Sequence, residues 1–147
     1  SNIHGINSRL DNIQATILNL KLNFIKKWIN KRQEYAKIYN KKILNKKRIN
    51  KDHAYHLYVL KTKFRNHLIN YLKLKNISLG IHYENPIHKM EPYKKYLKKN
   101  SSQLKNSERL SKEIFSLPLH PFINKETIIK IANEINLYKK KFNHEIQ

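Results

Sequence analysis

The sequence predicts an α/β fold in which a long amphipathic helix leads into a small α/β domain with a short sheet and flanking helices. Apolar residues recur every three or four positions from Leu10 to Tyr39, which is the spacing of one helix face. Two later runs, 53–62 and 77–83, are rich in β-branched and aromatic residues and flank a segment with helical spacing. A strand, a helix and a strand in close succession indicate a small α/β layer.

The long helix is the first element, and we expect it to run from Leu10 to Tyr39 or beyond. Basic side chains occupy its other side, as in a helix with one solvated face. Residues 40–52 are polar and basic and lack periodicity, so they predict a connection. We therefore divide the chain into residues 1–45, a turn with the long interdomain helix, and residues 46–147, a small α/β domain.

The two predicted strands enclose one predicted helix. Residues 53–62 carry apolar side chains on both faces, which is typical of a buried strand. Residues 66–76 have leucine and isoleucine at helical spacing, and residues 77–83 form the second strand, which contains Gly80. The connection leaves the strand direction open.

Irregular and helical segments alternate after the second strand. Two prolines predict an irregular segment over 84–93, and a weak helix follows over 93–99. Asn100-Ser101-Ser102 ends that helix, and the next one is expected over 107–115.

The last helix follows a proline-rich segment. Leu117-Pro118-Leu119-His120-Pro121 excludes helix, because each proline disfavours helix at the residue before it. Asn124 then caps a helix whose apolar face reaches Phe142. We expect the tail from Lys139 to fray.

The composition is strongly basic, with 31 Lys and Arg against 10 Asp and Glu and a net charge of +21. Such a charge is typical of proteins that bind nucleic acids or anionic membranes. Only 5 of the 31 are Arg, the residue favoured in base and phosphate recognition, and the Lys residues are spread along the whole chain. The 19 Asn and 20 Ile share A/T-rich codons with Lys. Codon bias therefore explains the charge better than a nucleic-acid surface does.

Several classes of site and location are excluded by composition. The chain has no cysteine, which excludes disulfides, thiolate zinc sites and cysteine nucleophiles. No stretch approaches the ~18 uninterrupted apolar residues of a membrane span, and residues 2–10 lack the pattern of a signal peptide. We therefore expect a soluble, cytoplasmic protein.

No metal site is predicted. His82 and His88 are six residues apart, which is not the i, i+4 spacing of a helical metal pair. The nearby Glu84 and Glu91 do not complete a recognisable ligand set. With only two glycines, the chain also lacks a glycine-rich phosphate loop.

A polar turn precedes the long helix. Gly5-Ile6-Asn7-Ser8-Arg9-Leu10-Asp11 combines a flexible glycine with an amide, a hydroxyl and a guanidinium beside a helix N-terminus, an arrangement suited to holding an anion. The alternative is that Ser8 or Asp11 only caps the helix.

This turn, followed by Ile13-Gln14-Ala15-Thr16-Ile17-Leu18, resembles the Gly-x-Asn-x-Arg-Leu-Asp-x-Ile-Gln-Ala-Ala-Ile-Leu signature of the DegT/DnrJ/EryC1/StrS sugar aminotransferases. Four further motifs match that family in the order in which it shows them. They are Lys31-Arg32 with Tyr35-Ala36 and Tyr39, Tyr55-His56-Leu57-Tyr58, Ile81-His82-Tyr83 with Pro86-Ile87-His88, and Leu117-Pro118-Leu119-His120-Pro121. Five matches in sequence over most of the chain indicate membership of the family.

The resemblance covers only the family's C-terminal part. It implies an enzyme of fold type I, the aspartate aminotransferase fold, with pyridoxal 5'-phosphate as cofactor. In whole members the missing N-terminal portion carries the Schiff-base lysine. We therefore expect no catalytic residue in this chain and no transamination by this chain alone.

The resemblance gives the opening turn a narrower role. It implies that Asn7 hydrogen-bonds the phosphate of the cofactor held by a neighbouring subunit, because the family's sites lie at a dimer interface. Arg9 is implied to lie near the same site and to hold the anionic substrate. The alternative for Arg9 is a structural ion pair with Asp11 or a neighbour.

The remaining implied site residues belong to the segment after the second strand. His82, Tyr83 and His88 match a family segment that lines the nucleotide-sugar pocket, where donors to a diphosphate and a stacking ring are useful. Glu84 stands where many members have Pro, and Thr16 replaces the usual Ala, so the detailed substrate contacts differ from the family pattern.

The implied reaction transfers an amino group from glutamate to a nucleotide-linked keto-deoxysugar, with a dTDP-3-keto-6-deoxyhexose favoured, for cell-surface polysaccharide or O-antigen (lipopolysaccharide) biosynthesis. The implied assembly is a homodimer with shared active sites and with no nucleic-acid or membrane partner. The alternative is a basic nucleic-acid-binding or scaffold module without enzymatic activity. The ordered motifs favour the enzyme, and in isolation its long helix is expected to expose apolar surface.

Overall fold

The computed structural model describes residues 9–46, 49–96 and 104–147. In these ranges five α-helices and one two-stranded sheet follow the order α1, α2, β1, α3, α4, β2 and α5, which confirms the predicted α/β class. Their bounds are Asn12–Leu22 (α1), Ile25–Ile43 (α2), Tyr58–Lys61 (β1), Arg65–Lys73 (α3), Lys105–Glu113 (α4), Ile114–Leu117 (β2) and Lys125–Phe142 (α5). Two 3₁₀ segments, Ile87–Lys89 and Glu91–Tyr96, precede α4.

The predicted long helix is divided into α1 and α2, so its continuity was wrong. The Phe24 amide donates to Lys21 O at 3.0 Å, an i to i−3 bond that tightens the end of α1, and α2 begins one residue later. Asn23, at the break, has a side chain that competes for backbone hydrogen bonds and disfavours helix interiors. The Asp11 carboxylate caps α1 by accepting from the Gln14 amide at 2.7 Å.

The sheet differs from the prediction in both strands. β1 covers only Tyr58–Lys61 of the predicted 53–62, and it alternates buried and exposed residues instead of burying both faces. Its antiparallel partner is β2, which begins inside the segment predicted as helix 107–115. Of the predicted strand 77–83, only Gly80 pairs, through two backbone hydrogen bonds with Ser116 of 2.7 and 3.0 Å. β2 is thus paired with β1 along one edge and with Gly80 along the other, and this pairing stabilises its four residues as a strand.

The core lies between α2, α5, α3 and one face of the sheet. Its largest fully buried side chains are Tyr35, Tyr39, Tyr138, Phe115, Leu68, Leu72, Ile128 and Ile135. Each such apolar side chain contributes about 1.5–3 kcal/mol on burial. Two of the tyrosines also satisfy their hydroxyls, since Tyr35 donates to Ile123 O at 2.6 Å and Tyr39 to Pro118 O at 2.9 Å. Burial raises the pKa of Tyr39, which keeps its phenol neutral.

Helices α3 and α5 lie where the apolar periodicity predicted them. The prediction that the tail from Lys139 frays was wrong. Asn124 caps α5 as predicted, by accepting from the Thr127 amide at 2.8 Å. After the helix the chain returns to β1, where Gln147 and Lys61 exchange two backbone hydrogen bonds of 2.8 and 3.0 Å. Ile146 is buried in the core. The predicted weak helix over 93–99 is 3₁₀ as far as it is described, and its end lies outside the described residues.

The helices of the described ranges are all too short or too polar to cross a membrane.

Candidate functional site

The segment after α3 brings His82 onto the sheet face opposite the core. Tyr58, Leu60, Phe115 and Leu117 point to the core, whereas the in-register pair Val59 and Ser116 occupies the other face. Gly80 pairs with Ser116 on its free side. The imidazole of His82 lies beside Ser116 and Gly80, with Nδ1 3.1 Å from Ser116 Oγ.

Gly80 provides the space that this imidazole occupies. A Cβ at position 80 would lie 2.4 Å from Cε1 of His82, which is shorter than any ordinary contact. No described glycine has positive φ, so the backbone conformation of Gly80 does not require glycine. The requirement at this position is therefore the close approach of the His82 ring.

Tyr83 follows at the edge of this surface. It is 75% exposed, and its ring meets that of His82 edge to face at 5.9 Å between centroids. The peptide bond between the two residues is cis. The two rings together form a partly exposed imidazole and phenol pair.

His88 is held by a different part of the chain. Its Nε2 lies 3.1 Å from one carboxylate oxygen of Glu108 on α4, and Lys89 Nζ lies 2.8 Å from the other. The Lys89 ammonium, followed by His88, lowers the pKa of Glu108. The structure therefore engages His88 in a hydrogen-bonded cluster with Glu108 and Lys89 that ties the 3₁₀ segment to α4. Sequence reasoning missed Glu108, because twenty residues separate it from His88.

The predicted cofactor turn is only partly described. Asn7 lies outside the described residues, and Arg9 is exposed just before the cap of α1. In the part of the chain that the structure describes, Arg9 makes no ion pair, and Asp11 is engaged with the Gln14 amide. The ion pair with Asp11, one of the two partners considered in the alternative role of Arg9, is therefore not formed among the described residues, and the pair with another neighbour stays a prediction.

An aromatic groove lies beside the junction of α1 and α2. Trp28 stacks on Phe24 at 5.9 Å and meets Phe122 edge to face at 5.7 Å. The groove has a volume of about 630 Å³, and Lys31 and Glu34, which pair at 3.1 Å, lie among its lining residues. Sequence reasoning did not single out Phe122, which is 76% exposed. Among the described residues, no group of three or more His, Asp or Glu side chains is arranged to hold a metal ion.

Comparisons with known proteins agree with this architecture. The model of the DegT/DnrJ/EryC1/StrS aminotransferase family matches residues 1–136. The dTDP-3-amino-3,6-dideoxy-alpha-D-galactopyranose transaminase of Aneurinibacillus thermoaerophilus is 33% identical over 140 residues, which cover 91% of this chain and 38% of that protein. The chain thus spans about two-fifths of the length of such relatives.

Solved structures share the fold. A DegT DnrJ EryC1 StrS aminotransferase from Brucella abortus superposes with a TM-score of 0.78 at 31% identity, covering 91% of this chain and 37% of that one. DesV of S. venezuelae gives a TM-score of 0.80 at 24% identity, with 91% and 38% covered. The described helices and sheet therefore form part of the aminotransferase fold, and the chain belongs to the DegT/DnrJ/EryC1/StrS aminotransferase family.

Proposed function

We propose that the chain is the C-terminal portion of a pyridoxal-phosphate-dependent aminotransferase that transfers an amino group from glutamate to a nucleotide-linked keto-deoxysugar. The observation that carries the proposal is a family match over residues 1–136 of a chain that spans 38% of its relative from Aneurinibacillus. That relative is a dTDP-3-amino-3,6-dideoxy-alpha-D-galactopyranose transaminase, which favours a dTDP-3-keto-6-deoxyhexose as acceptor. In the proposal the amino sugar serves cell-surface polysaccharide or O-antigen synthesis.

The unpartnered face of α1 supports the idea that this chain is one part of a larger assembly. None of its residues is buried, although it carries several large apolar side chains. Ile13, Ile17 and Leu20 lie on one face of α1. Leu18 and Leu22 lie on the opposite side, and all five are exposed. A run of exposed large apolar side chains on one helix marks an interaction surface. We assign it to the cofactor-bearing large domain, with residues 1–45 as the connecting unit and residues 46–147 as the small domain of a homodimer.

The residues near α1 fit an anionic cofactor in a supporting role. The Arg9 guanidinium is exposed and has no ion-pair partner among the described residues, so it is available to a phosphate or carboxylate. Bound pyridoxal 5'-phosphate supplies the electron sink for amino transfer. In the proposal Asn7 donates to the cofactor phosphate, and Arg9 binds the anionic substrate.

The substrate pocket is assigned to the exposed sheet face. His82 offers a hydrogen-bonding imidazole and Tyr83 an exposed ring on which a nucleobase or sugar can stack. His88 is assigned to the same pocket through its position on the adjoining 3₁₀ segment, with Glu108 holding its ring. These side chains bind and orient the sugar nucleotide, and the proton-transferring lysine comes from the large domain.

Complementation tests the proposal. The chain is co-expressed with the N-terminal portion of the Aneurinibacillus relative, and amino transfer from glutamate to a dTDP-linked keto-sugar is followed by mass spectrometry. We expect a complex that binds cofactor and turns over. Replacing Ile13 and Leu20 together by Lys should abolish assembly, whereas Leu74→Lys, at an equally exposed position away from α1, should not. A folded, cofactor-loaded complex without turnover would contradict the proposal.

A further inference from the structure

We propose that Ser116 and Gly80 are positioning residues that hold the His82 imidazole in one orientation and one tautomer, so that its Nε2–H donates to an anionic group of the sugar nucleotide. The inference rests on the proposed function, in which His82 contacts that substrate. It assigns a role to two residues outside the substrate contacts themselves.

The first support is that the Ser116 hydroxyl is buried although Ser116 lies on the sheet face opposite the core. Ser116 lies opposite Val59, which is 47% exposed, yet Ser116 is only 4% exposed. Both backbone groups of Ser116 are bonded to Gly80 on one side. Its hydroxyl has the His82 ring as its hydrogen-bond partner at 3.1 Å. The serine side chain is thus used for contact with this histidine.

The second support is the fit between the ring and Gly80. The Cε1 edge of the imidazole occupies the place of a Cβ at position 80, at 2.4 Å, and Nδ1 lies 3.1 Å from it. The ring can take this position only because residue 80 has no side chain, and its Nδ1 is then held by the hydrogen bond to Ser116. Among the described residues, Nε2 of His82 has no hydrogen-bond partner.

The hydrogen bond between Ser116 and His82 bears on which ring nitrogen of His82 carries the proton. A neutral imidazole carries one N–H, and the nitrogen that accepts a hydrogen bond is the one without it. The Ser116 hydroxyl can donate to Nδ1 or accept from Nδ1–H, so the hydrogen bond alone does not fix the tautomer. Because this hydroxyl is buried and has the ring as its partner among the described residues, accepting from Nδ1–H would leave its own O–H unpaired. Donation to Nδ1 is therefore favoured, which places the ring proton on Nε2. An Nε2–H group is a donor suited to the oxygens of a diphosphate. A freely rotating ring would lose conformational entropy each time the substrate binds, which weakens binding.

Side-chain NMR of the ¹⁵N-histidine-labelled full chain tests the positioning without substrate. The His82 signals are identified by their loss in His82→Gln. We expect the wild-type chain to show the Nε2–H tautomer of His82 alone. Ser116→Ala, and independently Gly80→Ala, should give signals averaged between both tautomers. Ser116→Thr, which keeps the hydroxyl, and Ser78→Ala, at an exposed serine of the same segment, should resemble wild type.

An unchanged His82 spectrum in both Ser116→Ala and Gly80→Ala would overturn the inference, as would an averaged or Nδ1–H signal in the wild-type chain. Ser116→Ala removes the hydrogen bond, whereas Gly80→Ala fills the space that the ring occupies. If circular dichroism shows that one variant is unfolded, the spectrum of the other variant still tests the inference.

Kinetics in the complemented enzyme test the consequence for substrate. Ser116→Ala should raise KM for the sugar nucleotide about 5- to 10-fold, the value of one hydrogen bond, with kcat nearly unchanged and recovery in Ser116→Thr. A fall in kcat at constant KM would overturn the assigned role. Absence of turnover in the wild-type complex would instead contradict the proposed function, and the NMR result would still decide the positioning.

Discussion

Apolar residues recur at helical spacing in both α1 and α5, but the two helices differ in how these residues are covered. Helix α1 also carries Leu18 and Leu22 on the side opposite Ile13. In α5 the apolar face is fully covered, with Ile128, Ala132 and Ile135 completely buried. In α1 no residue is buried, and Ile13 is 74% exposed. The same pattern therefore predicts a helix in both cases but does not tell whether its partner lies in this chain. The difference places α5 in the core and leaves α1 exposed, as the proposed docking of α1 against a large domain requires.

The largest expected effect contrasts the two helices directly. Ile135→Ala removes a fully buried side chain, so we expect the free energy of unfolding to fall by about 2–5 kcal/mol. Ile13→Ala should change it by less than about 0.5 kcal/mol, since that side chain is 74% exposed. Urea titration followed by circular dichroism measures both. Equal losses at the two positions would show that α1 packs on the core in solution.

The second prediction concerns self-association of the isolated chain. The exposed face of α1 should bring copies together, because burying each leucine or isoleucine contributes about 1.5–3 kcal/mol. Replacing Ile13 and Leu20 by Lys should weaken association at least about tenfold in Kd, as measured by analytical ultracentrifugation. Leu74→Lys, which removes an 84% exposed leucine elsewhere, serves as the control. A wild-type chain that is monomeric at all accessible concentrations would contradict the assignment.

The smallest expected effect on stability comes from a comparison of the N-terminal caps of α5 and α1. Asn124→Ala removes the bond to the Thr127 amide, and we expect a loss of about 1 kcal/mol in unfolding free energy, because α5 is integral to the core. Asp11→Ala removes the equivalent bond in α1. It should lower helical content in circular dichroism and leave the urea midpoint unchanged. A shift in that midpoint as large as the one for Asn124→Ala would mean that α1 folds together with the core.

Local patterns predicted the helices better than the sheet. Periodicity located α3 and α5, and the side chain of Asn124 marked the start of α5. The strand β2 was missed because its four residues directly follow a helix and are stabilised by pairing with β1 and Gly80, both distant in sequence. The ordered tail was missed for the same reason, since Gln147 pairs with Lys61.

The candidate site shows the same limit. Motif order was sufficient to single out His82 and Tyr83, whose adjacency in sequence keeps them together in space. It did not reveal that Glu108 holds His88 or that Ser116 holds His82, because those contacts join segments that only tertiary folding brings together. Ser116 carries no motif that would distinguish it from other serines in the chain.

The aromatic groove beside α1 provides an optical readout of assembly. Trp28 is the single tryptophan of the chain, and it lies between Phe24 and Phe122 at the junction of α1 and α2. Its emission wavelength depends on how much water reaches the indole. A domain that docks over α1 and this groove would displace that water, so a blue shift in fluorescence would follow binding in real time without any added label.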